Sequence, residues 1–287
     1  MPAPATNRRR VASRLAAWHR LSALAVAGAF LFMLAGCTLS SEDLEFKRAE
    51  EAAKAGKNEV AFKHYKTVVD RYVKDKLAIR SAQEGARIAH YELKKFPEAV
   101  ELYKHVILYA PSEADRLSAQ KKLADLYFSQ ALDYNQAIAE YSRLLETPHT
   151  HEEDGAYRFA IARSYFYLNN FYQGTVEIDK LLASKPSDEL GFEALMLKAN
   201  IYLSTKKLDD AIETLQDLMK RYPDRSKHET VGLVLAVCYE EQKNFAKAVE
   251  TLEAIKNDYP RKGFIESKIK LLRERQSLQP GARGLHK

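Results

Sequence analysis

Residues 199–223 read ANIYLSTKKLDDAIETLQDLMKRYP, and their spacing decides the fold. Between Asp209 and Tyr222, the residues Ala211, Ile212, Leu215, Leu218 and Met219 recur at steps of one, three and four. That spacing lays a single apolar stripe along a helix. Upstream, Leu195, Leu197, Ala199, Ile201 and Tyr202 form a second helical segment, and the polar run 204–207 separates the two. Pro223 removes a backbone donor and stops the second helix. The stretch is a pair of helices joined by a tight turn, and neither stripe can be buried without a neighbour.

The pair recurs. Pro111, Pro148, Pro186, Pro223 and Pro260 follow one another at intervals of 37 or 38 residues. Twelve positions before each proline stands a small residue, Ala99, Gly174, Ala211 or Ala248, with Ala137 eleven before its own. Ala61 extends that series into an earlier repeat without the proline. A third marker couples Ala124 with Tyr127, Ala162 with Tyr165, Ala199 with Tyr202, and Ala236 with Tyr239. Three markers sharing one period make a repeat array, and a period in this range signals stacked supersecondary units. Ser112, Ser187 and Asp224 each follow a repeat-ending proline and are placed to cap the next helix. No alternating strand pattern of useful length interrupts the series.

This pattern resembles the tetratricopeptide repeat family: a small residue then an aromatic in helix A, a small residue early in helix B, a leucine or aromatic four later, and a closing proline. Repeat five carries it as Ala199, Tyr202, Ala211, Leu215 and Pro223. Repeat six carries it as Ala236, Tyr239, Ala248, Leu252 and Pro260, and repeat four as Ala162, Tyr165, Gly174, Ile178 and Pro186. Repeats two (Ala99, Tyr103, Pro111) and three (Ala137, Tyr141, Pro148) agree in helix B, but their A-to-B turns are out of step by about one residue. Repeat one (Ala49, Gly56, Ala61, Tyr65) has Val73 near the place of its proline. The resemblance covers residues 44–261 and implies an all-α solenoid, a right-handed superhelix of antiparallel helix pairs. The small residues have a physical reason, since helices A and B cross there and a large side chain would overpack the contact by about 1–3 kcal/mol. Residues 264–276 (FIESKIKLLRERQ) form one more amphipathic helix, the terminal cap that a solenoid needs. The array with its cap is assigned to 42–277, and 278–287, holding Pro280, Gly281 and Gly284, to a disordered tail.

The N-terminus reads as an address. Five arginines and no acid in residues 1–36 hold +5 of the formal charge of +6, so the array itself is nearly balanced. A balanced surface gives no electrostatic footprint for nucleic acid. Residues 21–35 (LSALAVAGAFLFMLA) are apolar but short for a permanent membrane span. A basic segment, a short apolar run and small residues ahead of a cleavage point make a signal peptide, here 1–36. The junction Leu34-Ala35-Gly36-Cys37 resembles the lipobox of bacterial lipoproteins. That resemblance implies cleavage before Cys37, diacylglycerol on its thiol and an N-acyl chain on its amine, with 37–41 as a short tether. Thr38, rather than Asp, follows the cysteine, which by resemblance to the enteric sorting rule implies the outer membrane, periplasmic face. The reading it displaces is an uncleaved inner-membrane anchor. The other cysteine, Cys238, lies within a helical pattern and reads as a small buried hydrophobe.

The chemistry-bearing residues are sparse. His149-Thr150-His151-Glu152-Glu153-Asp154 offers imidazoles and carboxylates, a conceivable metal site. The same segment opens a helix, with Thr150 and Glu153 spaced as a capping box and acids suited to the helix dipole. His64, His90 and His105 read as surface or groove residues. Glycine-rich phosphate loops, nucleophile elbows and paired cysteines are missing from the sequence. The chain is expected not to be an enzyme, to need no cofactor beyond its lipid, and to bind envelope proteins. In the family it resembles, the A helices line a concave groove. Carrying those positions over gives Phe128 in repeat three, Arg163, Phe166 and Tyr167 in repeat four, and Asn200 and Leu203 in repeat five. They form an aromatic patch with one cation and one amide, a composition suited to an interface hot spot. The alternative for Phe166 and Tyr167 is packing between repeats. Asn200 stands where some relatives of that family clamp a carboxylate, while Val234 and Val237 fill the corresponding places of repeat six. The expected role is a lipid-anchored scaffold in a cell-envelope machine. In layout it distantly resembles the lipoprotein of β-barrel assembly, without the His-Pro and Asp-Tyr signature of that protein's early repeats. The alternatives are an envelope enzyme or metal-binding protein using the groove, and a self-associating structural subunit.

Overall fold

The computed structural model describes residues 41–228 and 230–279. The expected signal peptide, the lipidation site Cys37, most of the tether and residues 280–287 lie outside them. Helices are the only regular elements among the described residues. The chain divides into two compact units, 1–85 and 86–287.

In the first unit, α1 (Ser41–Lys54) and α2 (Asn58–Arg71) pack as a helical hairpin. Ala49 and Ala61, the small residues of repeat one, are both fully buried. Phe46 meets Tyr65 edge-on at 5.8 Å, and the Arg80 guanidinium lies 4.7 Å from the Phe46 ring centre. Helix α3 (Lys76–Arg87) begins in this unit and ends just inside the second.

In the second unit, α3 runs on as a π-helical turn, Ile88–Glu92, and repeat two is completed by α4 (Phe96–Tyr109). Three pairs follow: α5 (Glu113–Ser129) with α6 (Tyr134–Leu145), α7 (His151–Tyr167) with α8 (Phe171–Ala183), and α9 (Asp188–Ser204) with α10 (Leu208–Arg221). Repeat six comprises a short α11 (Pro223–His228), α12 (Val231–Glu241) and α13 (Phe245–Ile255), and α14 (Lys262–Ser277) is the cap. From α4 onward each helix packs on its chain neighbour, and α9 also packs on α7.

The register read from the sequence holds at atomic detail. Ala99, Ala124, Ala137, Ala162, Ala199, Ala211, Ala236 and Ala248 are all fully buried. A Cβ placed on Gly174 would lie 3.4 Å from the Ala162 carbonyl oxygen and 3.2 Å from Ile201 Cδ1. Helix B therefore crosses helix A at the two small residues, while touching the A helix of the next repeat. Leu215, Leu218, Leu252, Ile265 and Leu272 are sealed in one core that runs from repeat five through the cap. Each such side chain contributes about 1.5–3 kcal/mol.

The irregular turns of repeats two and three have a defined form. In repeats one, four, five and six, the amides of Lys57, Asn170, Lys207 and Asn244 close the A–B turn onto the carbonyls of Ala52, Tyr165, Tyr202 and Tyr239, five residues back. In repeats two and three the closing bonds, Lys95 to Ala89 and Asp133 to Tyr127, span six. In both turns a bond of π-helical reach takes up the additional residue, from Leu93 to Ile88 and from Ala131 to Leu126. All six turns place one residue in the left-handed region: Gly56, Lys94, Leu132, Asn169, Lys206 and Lys243.

Caps follow the expectation at two of three sites. Ser112 accepts from the Asp115 amide and Ser187 from that of Leu190. Asp224 does not cap the A helix of repeat six; it lies in the first turn of α11, and the following helix starts only at Val231, after Thr230 at φ 58°. Arg225 draws α11 onto α9, lying 4.1 Å from the Phe192 ring centre while pairing with Glu193. The cap helix buries Ile265, Ile269 and Leu272, and Lys268 and Arg275 both pair with Glu240. Leu278 and Gln279 close α14, with the Gln279 amide donating to the Lys243 carbonyl.

Candidate functional site

The groove residues proposed from the sequence fall into two groups. Phe128 near the end of α5, and Arg163, Phe166 and Tyr167 near the end of α7, come together. The Arg163 guanidinium carbon lies 4.8 Å from the Phe128 ring centre and 5.7 Å from that of Phe159. Tyr167 is 6.1 Å from Phe128 and 5.8 Å from Phe166. Asn200 and Leu203 stand one repeat further on. Leu203 packs against the core of repeats five and six, and the Asn200 side chain is half-buried without a hydrogen-bond partner among the described residues.

Three aromatic residues that sequence reasoning passed over complete the first group. Tyr134, opening α6, stacks on Tyr167 at 4.8 Å with 18° between the rings and meets Phe128 at 5.8 Å. Phe171, opening α8, meets Phe166 edge-on at 5.8 Å. Beside it Tyr172 is 75% exposed. A signal was present, because Phe96, Tyr134, Phe171, Leu208 and Phe245 each stand three before the small residue of helix B. These side chains open helix B and, in repeats three and four, fold back on the last turn of helix A. The aromatic set thus gathers toward the A–B turns of repeats three and four, where Leu132, Tyr167 and Leu168 are also exposed.

The two readings offered for Phe166 and Tyr167 divide between them. Phe166 is half-buried against the cluster of Ala162, Ile178 and Ile201, so part of its surface is core. Tyr167 remains 48% exposed and is held only by rings. Arg163 is half-buried and pairs with no carboxylate among the described residues. Its charge is held by ring faces, an interaction worth about 0.5–2 kcal/mol according to exposure. The arrangement presents a rigid aromatic surface with one cation whose anionic partner is missing.

The histidine-rich segment at 149–154 is a helix start. Thr150 Oγ1 accepts from the Glu153 amide at 3.1 Å, and the Glu153 carboxylate accepts from the Thr150 amide at 2.9 Å. The Glu153 carboxylate also accepts from the Thr150 hydroxyl at 3.0 Å, and the bonds it accepts, from backbone first and hydroxyl second, hold it below the usual carboxylate range. Burial pushes Asp154 upward, but bonds and charge from Arg158 and then His149 outweigh it and keep the group low. Among the described residues no group of three His, Cys, Asp or Glu has the geometry to hold a metal ion. His90 is buried rather than a surface or groove residue, stacked on Tyr91 at 4.1 Å and 3.3 Å from the Tyr103 hydroxyl. Cys238 is sealed in the core, and burial pushes its thiol to about 11.

Two tetratricopeptide repeat models match the chain, over residues 159–226 and 202–262. Residues 159–262 thus carry the tetratricopeptide repeat pattern. The C-terminal part of a tetratricopeptide repeat-containing protein from Cytophaga hutchinsonii superposes with a TM-score of 0.59 at 16% identity, covering 85% of this chain and 93% of its own. A tetratricopeptide repeat protein from Parabacteroides merdae gives 0.52 at 17% identity, with 83% and 88% covered. PilW, described as a widely conserved type IV pilus biogenesis factor, gives 0.52 at 13%, with 80% and 99% covered. At these identities the likeness establishes the fold alone, an all-α solenoid of tetratricopeptide repeats. No curated protein matches the chain in sequence. Repeats of this kind serve protein–protein interaction.

Proposed function

We propose that the chain is a lipid-anchored scaffold that binds a partner protein through the A-helix ends of repeats three and four. The observation that carries the reading is Arg163, unpaired among the described residues and caged between Phe128 and Phe159, beside the stack of half-buried Tyr134 on exposed Tyr167. Rigid aromatic anchors around an arginine are the composition in which interface energy concentrates. Cys37 carries the lipid in this proposal, and the outer membrane is its site, with the repeats in the periplasm. Support for the anchor comes from the sequence: the basic segment, the apolar run and the junction at residues 34–37. No helix among the described residues is long and apolar enough to cross a membrane. A cell-envelope machine is the expected setting, and the fold shared with PilW is compatible with it.

Photo-crosslinkers placed at Phe166 and Tyr167 in living cells test the binding surface, with Leu108, exposed on α4, as the comparison site. The expected result is a discrete adduct from 166 and 167 that is lost in Arg163→Ala. Adducts from Leu108 alone would overturn the assignment. Mass spectrometry of the mature N-terminus tests the anchor, and a start anywhere but an acylated Cys37 rejects it.

A further inference from the structure

A concave feature adjoins the aromatic surface, between α8 and the A–B turn of repeat five. It is a cavity of about 370 Å³, walled by α8 on one side and by Ile201, Tyr202, Thr205 and Lys207 on the other. Rings and aliphatic groups from Phe171, Tyr172, Val176, Ile201 and Tyr202 supply most of its wall. Tyr172 is 75% exposed and makes no ring contact or side-chain hydrogen bond among the described residues. Its position is therefore not explained by packing.

The charges at the rim decide what would fit. Asp179 is already neutralised by Lys198 at 2.7 Å. Lys206, next in sequence to Lys207, is engaged by Glu241 at 2.7 Å. Lys207 lies 6.0 Å from the Tyr202 ring centre and pairs with no carboxylate among the described residues. One uncompensated ammonium thus stands at the mouth of an aromatic-walled cavity. The volume lies within the range of pockets that enclose small ligands or a single anchoring side chain.

We propose that this cavity binds an extended segment of a partner protein, taking one bulky apolar side chain between Tyr172 and Tyr202 and the adjacent carboxylate at Lys207. The site rests on the reading of the chain as a protein-binding scaffold; it adjoins the aromatic surface through Phe171 and Tyr172 but does not include Arg163. A scaffold with two adjoining sites can hold two segments of one partner, and linkage then raises overall affinity without a new contact.

Phage-displayed random peptides panned on the full chain in detergent micelles test the proposal. Enriched peptides are expected to carry a bulky apolar residue beside Asp or Glu. Their binding should weaken at least about tenfold in Tyr172→Ala, which removes one wall at an exposed position and spares the fold. Thr205→Trp, which fills the cavity from an exposed turn, should abolish binding. Lys207→Glu should reverse the preference from acidic to basic neighbours, an outcome that loss of folding cannot imitate. Arg163→Ala should leave these peptides bound, which separates this site from the aromatic surface. Enrichment without an acidic neighbour, binding that survives Thr205→Trp, or peptides that depend on Arg163 alone would each overturn it.

Discussion

The crossing of α7 and α8 can be tested by a single side chain. Gly174 faces the Ala162 carbonyl oxygen at 3.4 Å and Ile201 Cδ1 at 3.2 Å, measured from an added Cβ. Gly174→Ala therefore sets two effects against each other. The helix gains about 1 kcal/mol from the loss of glycine's conformational freedom. Against this, Ile201 must move its terminal methyl by a few tenths of an ångström, a small cost for the far end of a flexible side chain. The net change should be a gain of somewhat less than about 1 kcal/mol. Gly174→Leu has no such escape, because the added atoms must pass a backbone carbonyl that belongs to the partner helix. Overpacking of this kind costs about 1–3 kcal/mol. Repeat arrays lose stability locally, since each repeat touches mainly its neighbours. The assay is therefore amide hydrogen exchange across residues 155–201, read beside circular dichroism. Each 1.4 kcal/mol is about tenfold, so protected amides of α7 and α8 should exchange about 5- to 150-fold faster in Gly174→Leu. Exchange unchanged in Gly174→Leu would mean that the helices do not cross at Gly174 and Ala162, and the register of the whole array would fall with it.

The remaining expectations are more local. Leu132 holds a φ of 52° and is 59% exposed, so Leu132→Gly should raise stability by about 1 kcal/mol in denaturant titration, and a loss of that size would refute the turn geometry. Burial, and then Lys94, hold His90 below its ordinary value of 6.5, so its neutral form belongs to the folded state. Stability from that source is present above the unfolded value and is lost as pH falls through the folded one. The melting temperature should drop between about pH 7 and 5, and His90→Gln should flatten the slope. Ile269→Asp in the cap, where the residue is 4% exposed, should detach α14 and speed amide exchange throughout α12 and α13 while leaving α7 protected.

How far the residues announced this arrangement depends on which physical constraint set them. Close approach is a strong filter, so Ala162, Gly174, Ala211 and Ala248 recur in register and the fold could be read from them. Proline was less faithful. Pro223 keeps the period, yet it opens the short helix α11, because Arg225 is drawn to Phe192 and Glu193 on α9. The additional residue of repeats two and three was visible as a break in spacing, but its absorption by backbone bonding of π-helical reach was not, since no side chain is demanded there. Left-handed turn positions were equally silent. Lys94, Leu132, Lys206 and Lys243 occupy them without the glycine or asparagine that would have marked the site, as Gly56 and Asn169 do. Phe128, Arg163, Phe166 and Tyr167 were found by position in the repeat, while Tyr134, Phe171 and Tyr172 were missed. They belong to helix B, and a search of A-helix positions cannot find them.

Comparing equivalent positions along the array explains why the open surface sits at repeats three and four. Four residues after the small residue of helix A stand Phe128, Phe166, Leu203 and Glu240 in repeats three to six. The series passes from aromatic to aliphatic to acidic, and the structure accounts for its latter half. Leu203 is taken up by the core that runs on into repeat six, and Glu240 receives both Lys268 and Arg275 from the cap. Arg275 also lies 4.9 Å from the Phe245 ring centre, the place in repeat six where Phe171 stands in repeat four. The cap thus satisfies in repeat six the same pair of positions that repeat four leaves to Phe166 and Phe171, with Tyr167 and Tyr172 exposed beside them. In this array an arginine from the chain's own terminal helix covers the last repeat's aromatic, whereas Arg163 has ring faces and no carboxylate. A partner that docks on repeats three and four would complete, from outside, the polar and aromatic contacts that the cap completes from within.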